Sequence, residues 1–327
     1  FSFPILNQNI NYIKMTSSFK NIVLIAGGVG GAKLAEGLNS LKDIKLTIIG
    51  NIADDEEFHG LRVSPDIDTL TYTLSGMVNR EQGWGIKNDN YKALSILNKL
   101  GEETWMSLGD FDFGLHIYRQ LRLLKNDRPT IIAKEIAKKF GITADIVLPT
   151  DDKIRTEVQT KSGWISFQEY FVKKRCSPKI MKLKYAGINS AKITKEAEKA
   201  LFDATLIIIA PSNPLVSIKP IIEIPGFKSI IQKSKKKVIA VSPIIQGKAV
   251  KGPAIKMLKQ LGFKANSFSC MQIYKDICKS FILDKSDKGL EKKFSALNQQ
   301  SIFTDTLMTS LADKKKLAKF IINHPID

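Results

Sequence analysis

Four aspartates, Asp54, Asp55, Asp66 and Asp68, crowd two short runs, Asn51-Ile52-Ala53-Asp54-Asp55-Glu56-Glu57 and Ser64-Pro65-Asp66-Ile67-Asp68-Thr69. Oxygen donors gathered this way suit magnesium, a hard cation that takes carboxylates and shares its other positions with substrate phosphates. Asp54 and Asp66 are the preferred pair of ligands. Asp55 and Asp68 stand behind them or deprotonate an attacking hydroxyl. Asp68 and Thr69 also directly precede an apolar-periodic segment, where an aspartate caps a helix well. Capping does not account for four acids converging in a chain of net charge +18.

A glycine cluster, Gly27-Gly28-Val29-Gly30-Gly31, comes before them. Glycines between a strand and a helix let backbone approach a phosphate, and the helix start adds free N–H groups. The spacing is not the dinucleotide fingerprint, because the third glycine position, counted from Gly28, is Lys33. It is not a Walker A loop either, since Leu34 follows Lys33. A phosphate or pyrophosphate ligand is expected, with a tight packing turn as the plain alternative. Two later loops, Pro211-Ser212-Asn213-Pro214-Leu215-Val216-Ser217 and Ser242-Pro243-Ile244-Ile245-Gln246-Gly247, put small hydroxyl and amide groups at strand ends. Either loop alone is ordinary turn chemistry; two in one sheet point to a nucleotide base or phosphate. Lys251, in Lys251-Gly252-Pro253-Ala254, starts a helix and is positioned for a phosphate. Gly109-Asp110-Phe111-Asp112 with His116 suggests substrate hydrogen bonding or proton transfer. The three histidines, His59, His116 and His324, lack a zinc-binding spacing.

The elements that must carry these residues are legible around them. Asn21–Ala26 reads as a buried strand, Ala32 to about Leu41 as a helix and Leu46–Gly50 as a second strand. This βαβ opening places a ligand at the strand carboxyl ends. Helical patterns follow at Leu70–Met77, Tyr91–Leu100, Phe113–Leu124 and Ile131–Phe140. Alternation between Asp145 and Tyr185 marks a small β-rich patch. Leu206–Ala210 and Lys237–Val241 are further parallel strands, and the last forty residues read as helical. The fold class is α/β, a Rossmann-like, mostly parallel sheet with helices on both faces and a helical and β-rich insertion. Residues 1–20 form an extension expected to be poorly ordered, and Met15 resembles a natural start. Residues 21–327 form one domain, with its core at about 21–75 and 190–290, the insertion at about 76–189 and a helical segment at about 290–327.

Composition narrows the class. The 327 residues are 43% hydrophobic, enough for a sizeable core, and no run approaches the ~20 apolar residues of a membrane span. A soluble protein with no membrane partner is expected. Cys176, Cys270 and Cys278 are odd in number and lack a Cys-x-x-Cys spacing, which suits a reducing, cytoplasmic setting. The positive charge comes mostly from scattered lysines without interleaved aromatics, such as Lys235-Lys236-Lys237 and Lys314-Lys315-Lys316. That pattern reads as a solvated surface with no nucleic-acid partner.

Taken together, these residues resemble the 2-phospho-L-lactate transferase family of coenzyme F-420 biosynthesis. The likeness runs from Asn21 onward through Gly27–Leu34, the Asp-Asp segment and Gly60–Thr69. It continues through Tyr72-Thr73-Leu74, Gly83-Trp84-Gly85-Ile86, Leu108-Gly109-Asp110, Pro211–Pro214, Lys251–Ala254 and Asp305-Thr306-Leu307-Met308. The resemblance implies a magnesium-dependent transferase and a homodimer. Its two substrates are the deazaflavin Fo and a guanosine diphosphate bearing lactate, enolpyruvate or a related three-carbon acid. The ribityl hydroxyl of Fo attacks the outer phosphorus and GMP leaves. Carried over by position, Asp54 and Asp66 hold the metal. Gly27, Gly28, Gly30, Gly31, Lys33, Asn51, Ser212, Asn213, Ser217, Ser242 and Lys251 bind the nucleotide. Trp84, Gly109, Asp110 and His116 face the deazaflavin. One departure stands out. The family usually has Arg-Asp-Leu-Ala-Thr-His after its Gly-Asp, where this chain reads Phe111-Asp112-Phe113-Gly114-Leu115-His116, which removes a possible phosphate or carboxylate contact. A related branch of UDP-sugar-binding regulators follows its aspartate pair with Gly-Gly-Ser-Ser-Gly. Here Glu56-Glu57-Phe58-His59-Gly60-Leu61 stands instead, which favours the transferase.

Overall fold

The computed structural model describes residues 20–234 and 236–324. The expected N-terminal extension, Lys20 apart, and Lys235 lie outside them. Seven strands form the main sheet, numbered here in chain order: β1 (Lys20–Ala26), β2 (Ile44–Gly50), β3 (Asp145–Val147), β4 (Leu206–Ile209), β5 (Lys237–Val241), β6 (Ser280–Asp284) and β7 (Gln300–Thr304). Their order is β7-β6-β5-β4-β1-β2-β3, and every pairing is parallel. Strands of a parallel sheet are covered on both faces, so they read as unbroken apolar runs. β4, Leu-Ile-Ile-Ile, is buried at all four positions.

The order reverses between β1 and β4, because β1 runs on to β2 and β3 on one side and the later strands continue on the other. Register there pairs Ile22 with Leu206 and Ile25 with Ile209. The crevice beyond the carboxyl ends of such a pair is where open α/β sheets bind ligands. The helices α1 (Gly28–Asn39) and α2 (Pro65–Leu74) start at that end, and α3 (Lys92–Lys99), α4 (Asp110–Leu124) and α5 (Pro129–Lys139) follow. α1 packs against α2 and against the last helix, Leu311–Asn323, whose start is closed by a capping box of Ser310 and Asp313.

The β-rich patch is an antiparallel sheet of Gly163–Ser166, Arg155–Thr160 and Lys182–Ala186. Its middle strand alternates half-buried and buried residues, as a sheet covered on one face must. Two expectations need correcting. Asp145–Val147, placed within the insertion, is the β3 edge of the main sheet. The helical reading of the last forty residues misses β7, whose Gln-Ser-Ile-Phe-Thr has only Ile302 fully buried. An edge strand buries little, so its apolar signal is weak. Among the described residues no helix is long and apolar enough to cross a membrane.

Candidate active site

The site begins where β1 and β4 end. Ser212, just past β4, ties the two strand ends together: its hydroxyl accepts from the Gly27 N–H at 3.3 Å and donates to the Gly27 carbonyl at 2.6 Å. A Cβ on Gly30 would stand 2.1 Å from the Pro211 carbonyl oxygen, so helix α1 can rest on that loop only through glycine. Asp66, in the first turn of α2, accepts the backbone N–H of Gly28 at the start of α1. The positive end of α1 thus serves a carboxylate of the chain itself. The glycine run packs tightly against an acid, Asp66.

Asn51, directly after β2, organises that acid. Its amide donates to Asp66 Oδ2 at 2.9 Å and to the Val216 carbonyl at 3.2 Å, and its oxygen accepts from Ala53 N–H at 3.1 Å. Burial raises the Asp66 carboxyl to about 6 against the pull of Asn51 and Gly28. Asp54 is pushed well above the usual carboxylate range by burial first and by Asp66 next. Asp54 Oδ1 has no hydrogen-bond partner. A positive charge between two adjacent buried acids that both resist ionisation would relieve the cost of charging them.

The other two aspartates are held differently. Asp55 Oδ2 meets Arg62 at 2.9 Å and accepts from the Ser64 hydroxyl at 2.7 Å, while Oδ1 is buried without a partner. Burial raises its carboxyl, which Arg62 and Ser64 only partly oppose. Asp68 is clamped by Arg119 and His116, both from α4, with His116 Nε2 at 3.1 Å. Burial works against its charge, but Arg119 and His116 outweigh it and hold the carboxyl below the usual range. Ser64 links the two: its N–H reaches Asp68 at 3.3 Å while its hydroxyl serves Asp55.

The antiparallel sheet closes over the acidic loop. Thr156 N–H donates to the Ala53 carbonyl at 2.7 Å, Gln168 Nε2 to the Asp54 carbonyl at 3.0 Å, and Arg155 pairs with Glu56 at 2.8 Å. The Tyr185 hydroxyl donates to the Leu215 carbonyl. These contacts, and Arg119, were not read from the sequence. Thr156 and Arg155 sit in an alternating strand that announces only a sheet, and Arg119 lies in a helix whose pattern is dominated by apolar spacing.

The remaining expected residues divide. Lys251 donates to the Gln82 carbonyl, and a Cβ on Gly83 would stand 3.0 Å both from its Nζ and from Val29 Cγ1. The Gly83-Trp84 segment therefore lies over the first turn of α1, with Trp84 45% exposed. Ser217 is buried, with its Cβ 2.8 Å from the position a Gly27 Cβ would take. Others hold the fold: Lys33 binds the Met308 carbonyl at 2.9 Å, Asn213 caps the short helix Pro214–Ile218, and Ser242 turns its loop through Ile244. Asp110 accepts from Ala93 N–H in the first turn of α3, and a Cβ on Gly109 would collide with Asp89. His116 is fully buried beside Asp68. Phe111 packs edge-on to Tyr72 at 6.0 Å and tilted to Phe140 at 5.9 Å, so the position where the family has arginine here fills an apolar cluster.

Among the described residues no group of three or more His, Cys, Asp or Glu is arranged to hold a metal ion. Asp54 and Asp66 still fit magnesium, which takes one or two carboxylates and completes its shell with water and phosphate oxygens. The unpartnered oxygen of Asp54 and the strain of charging both acids are what such an ion would relieve.

The chain matches the profile of the family described as 2-phospho-L-lactate transferase CofD over residues 22–321. It is 34% identical over 302 residues to a 2-phospho-L-lactate transferase of Methanosarcina acetivorans, covering 92% of this chain and 98% of that one. With the enzyme of the same description from Methanococcoides burtonii it shares 35% over 303 residues, and with that of Methanocaldococcus jannaschii 32% over 306. Those matches cover 92% of this chain in each case, and 98% and 97% of the respective relatives. Among solved structures, a member of the UPF0052 family from Bacillus halodurans superposes with a TM-score of 0.62 at 15% identity, covering 93% of this chain and 99% of the other. That likeness speaks for the fold alone.

Proposed function

Since the chain belongs to the CofD family of 2-phospho-L-lactate transferases in coenzyme F-420 biosynthesis, we propose that it moves a phospholactyl, phosphoenolpyruvyl or related group from a guanosine diphosphate carrier to Fo. The terminal ribityl oxygen bonds to the outer phosphorus, the bond from that phosphorus to the bridging oxygen breaks, and GMP leaves. The observation that carries this reading is the pair Asp54 and Asp66, buried at the ligand end of the sheet and free of ion pairs among the described residues. Magnesium held by these two carboxylates would neutralise the charge that builds on the diphosphate during transfer.

The chain's own groups divide the rest of the work. Asp55 keeps one oxygen free and a raised proton affinity, so it is the better acceptor of the ribityl proton. Asp68, tied to Arg119 and His116, is a weak base and instead anchors the Asp55 loop through Ser64. Lys251, beside Gly83 and the first turn of α1, would bind the donor phosphates. The half-exposed indole of Trp84 offers a face to the deazaflavin ring.

A homodimer is part of the proposal. α4 exposes Ile117, Leu121 and Leu124 in line with Gly114, where an added Cβ would meet nothing within 4 Å. Alternating steps of three and four residues make a seam for pairing with another helix. Ile96 of the neighbouring α3 and Leu100 just past its end are also exposed. The three cysteines, all free, suit a reducing cytoplasm. The test of the reaction is mass spectrometry of products formed from Fo, magnesium and guanosine diphosphate donors bearing lactate, enolpyruvate or glycerate. A magnesium-dependent phosphodiester with GMP release is expected; a folded protein that binds GDP yet yields no product with any donor would sink the proposal.

A further inference from the structure

The strand Arg155–Thr160 enters the site from a different sheet, and its backbone is pinned there. With Thr156 N–H bonded to Ala53 and Arg155 paired with Glu56, the Cα–Cβ direction of Thr156 is fixed. Alternate residues of a strand face the same way, and Thr156, Val158 and Thr160 all point into the protein. Thr156 is 0% exposed, and its hydroxyl has no hydrogen-bond partner.

A buried hydroxyl without a partner is destabilising, because its lost contact with water is not replaced. Valine has the same shape, carries no such penalty and is at home in strands. A threonine at this position is therefore explained by what its hydroxyl can act on. The neighbouring group is Asp54, one residue past the Ala53 that Thr156 N–H binds, and its Oδ1 is also buried and unpartnered. Asp66 offers a parallel: a neutral donor, Asn51, fixes its Oδ2 at 2.9 Å.

We propose that Thr156 is a positioning residue for Asp54: its hydroxyl donates to one carboxylate oxygen and turns the other toward the cation shared with Asp66. The inference rests on the reading of Asp54 and Asp66 as cation ligands. Each acid would then have a neutral side-chain anchor, Asn51 just past β2 and Thr156 from the antiparallel sheet. A ligand whose orientation is fixed by a hydrogen bond holds its ion more tightly, and loss of such a partner typically weakens binding about 10–100-fold.

The experiment compares the full chain with Thr156→Val and Thr156→Ser. Mn2+ binding is followed by electron paramagnetic resonance with GDP absent and present, and thermal unfolding is recorded in chelator. Thr156→Val is expected to bind Mn2+ about 10-fold more weakly or worse, with an unchanged or higher Tm in chelator. Thr156→Ser should restore binding. Equal Mn2+ affinity in Thr156→Val and the parent overturns the inference. So does a matched loss of affinity and Tm in both variants, which marks a packing role. If the parent itself takes up no Mn2+, the ligand reading of Asp54 and Asp66 fails first, and the inference falls with it.

Discussion

Gly27 and Asp66 are packed so closely that a Cβ on the glycine would lie 2.5 Å from the Oδ2 of the acid. The end of β1 and the start of α2 are thereby fitted to each other at the point where the site forms. Gly27→Ala should displace Asp66 and lower stability by about 1–3 kcal/mol. Turnover should fall about 100-fold, the usual result of a misplacement near 1 Å. Gly28→Ala is the comparison, since its φ of +59° is strained while an added Cβ would meet only ordinary contacts, 3.8 Å from Ser217 Oγ and 4.0 Å from Asp66 Oδ1. Steady-state rates and urea unfolding of the two variants separate displacement of the acid from strain alone.

Asp66→Asn should abolish turnover and yet stabilise the protein without metal. Burial lifts the Asp66 carboxyl to about 6 from its ordinary 3.8, a shift worth on the order of 3 kcal/mol. A raised acid binds its proton more tightly when folded. Its penalty is therefore full above pH 6, shrinks as pH falls and is gone below the unfolded value. The gain from asparagine should be largest at pH 7 and fade by pH 4, in urea unfolding with chelator present. Magnesium should stabilise the parent and not the variant.

Arg119→Met should be among the most damaging single changes, because it strands the buried Asp68 charge. Breaking such a pair costs about 3–5 kcal/mol. In the parent, the lowered Asp68 carboxyl contributes stability above its unfolded value and loses it as pH falls through the folded one. In the variant, burial is opposed only by His116 and the Ser64 N–H among the contacts described, so Asp68 takes up a proton at higher pH. The deficit should narrow between pH 7 and pH 4 in denaturation curves; a pH-independent deficit would count against the charge argument.

Trp84→Ala should raise the KM for Fo about 10-fold, as stacking on an aromatic face contributes about 1–3 kcal/mol. The KM for the guanosine donor should stay near its parent value. Equal effects on both would move Trp84 out of the deazaflavin site.

Leu121→Lys, on the exposed face of α4, should convert a dimer into a monomer in light scattering after size exclusion, with the Tm near that of the parent. A parent that is already monomeric, or a variant that remains dimeric, removes this face as the interface.

The sequence carried the outline of the site further than its roles. The strand ends, Asp54, Asp66, Ser212 and Lys251 could all be placed, because buried parallel strands are continuous apolar runs and their loops are polar. The contact between Asp66 and the start of α1 was not legible, since nothing in one dimension brings the first turn of α2 to Gly28. His116 and Asp68 were separately visible but not as partners, being joined only when α4 packs beside α2. Arg119 and Thr156 were silent for the same reason: an arginine in a helix or a threonine in a strand acquires meaning only from what folds against it. β7 was missed because an edge strand with polar flanks resembles a helix terminus in composition.

The place of β1 in the sheet has a consequence for how the chain is made. One edge of β1 is satisfied by β2 almost at once, but its other neighbour, β4, begins at Leu206, roughly 180 residues after β1 ends. At about 5–20 residues per second, the ribosome takes on the order of ten to forty seconds to supply it. If β1 pairs with β2 during synthesis, its other edge, Ile22 to Ile25, waits for β4 over that interval. Yield during expression should then fall when holdase chaperones are withdrawn.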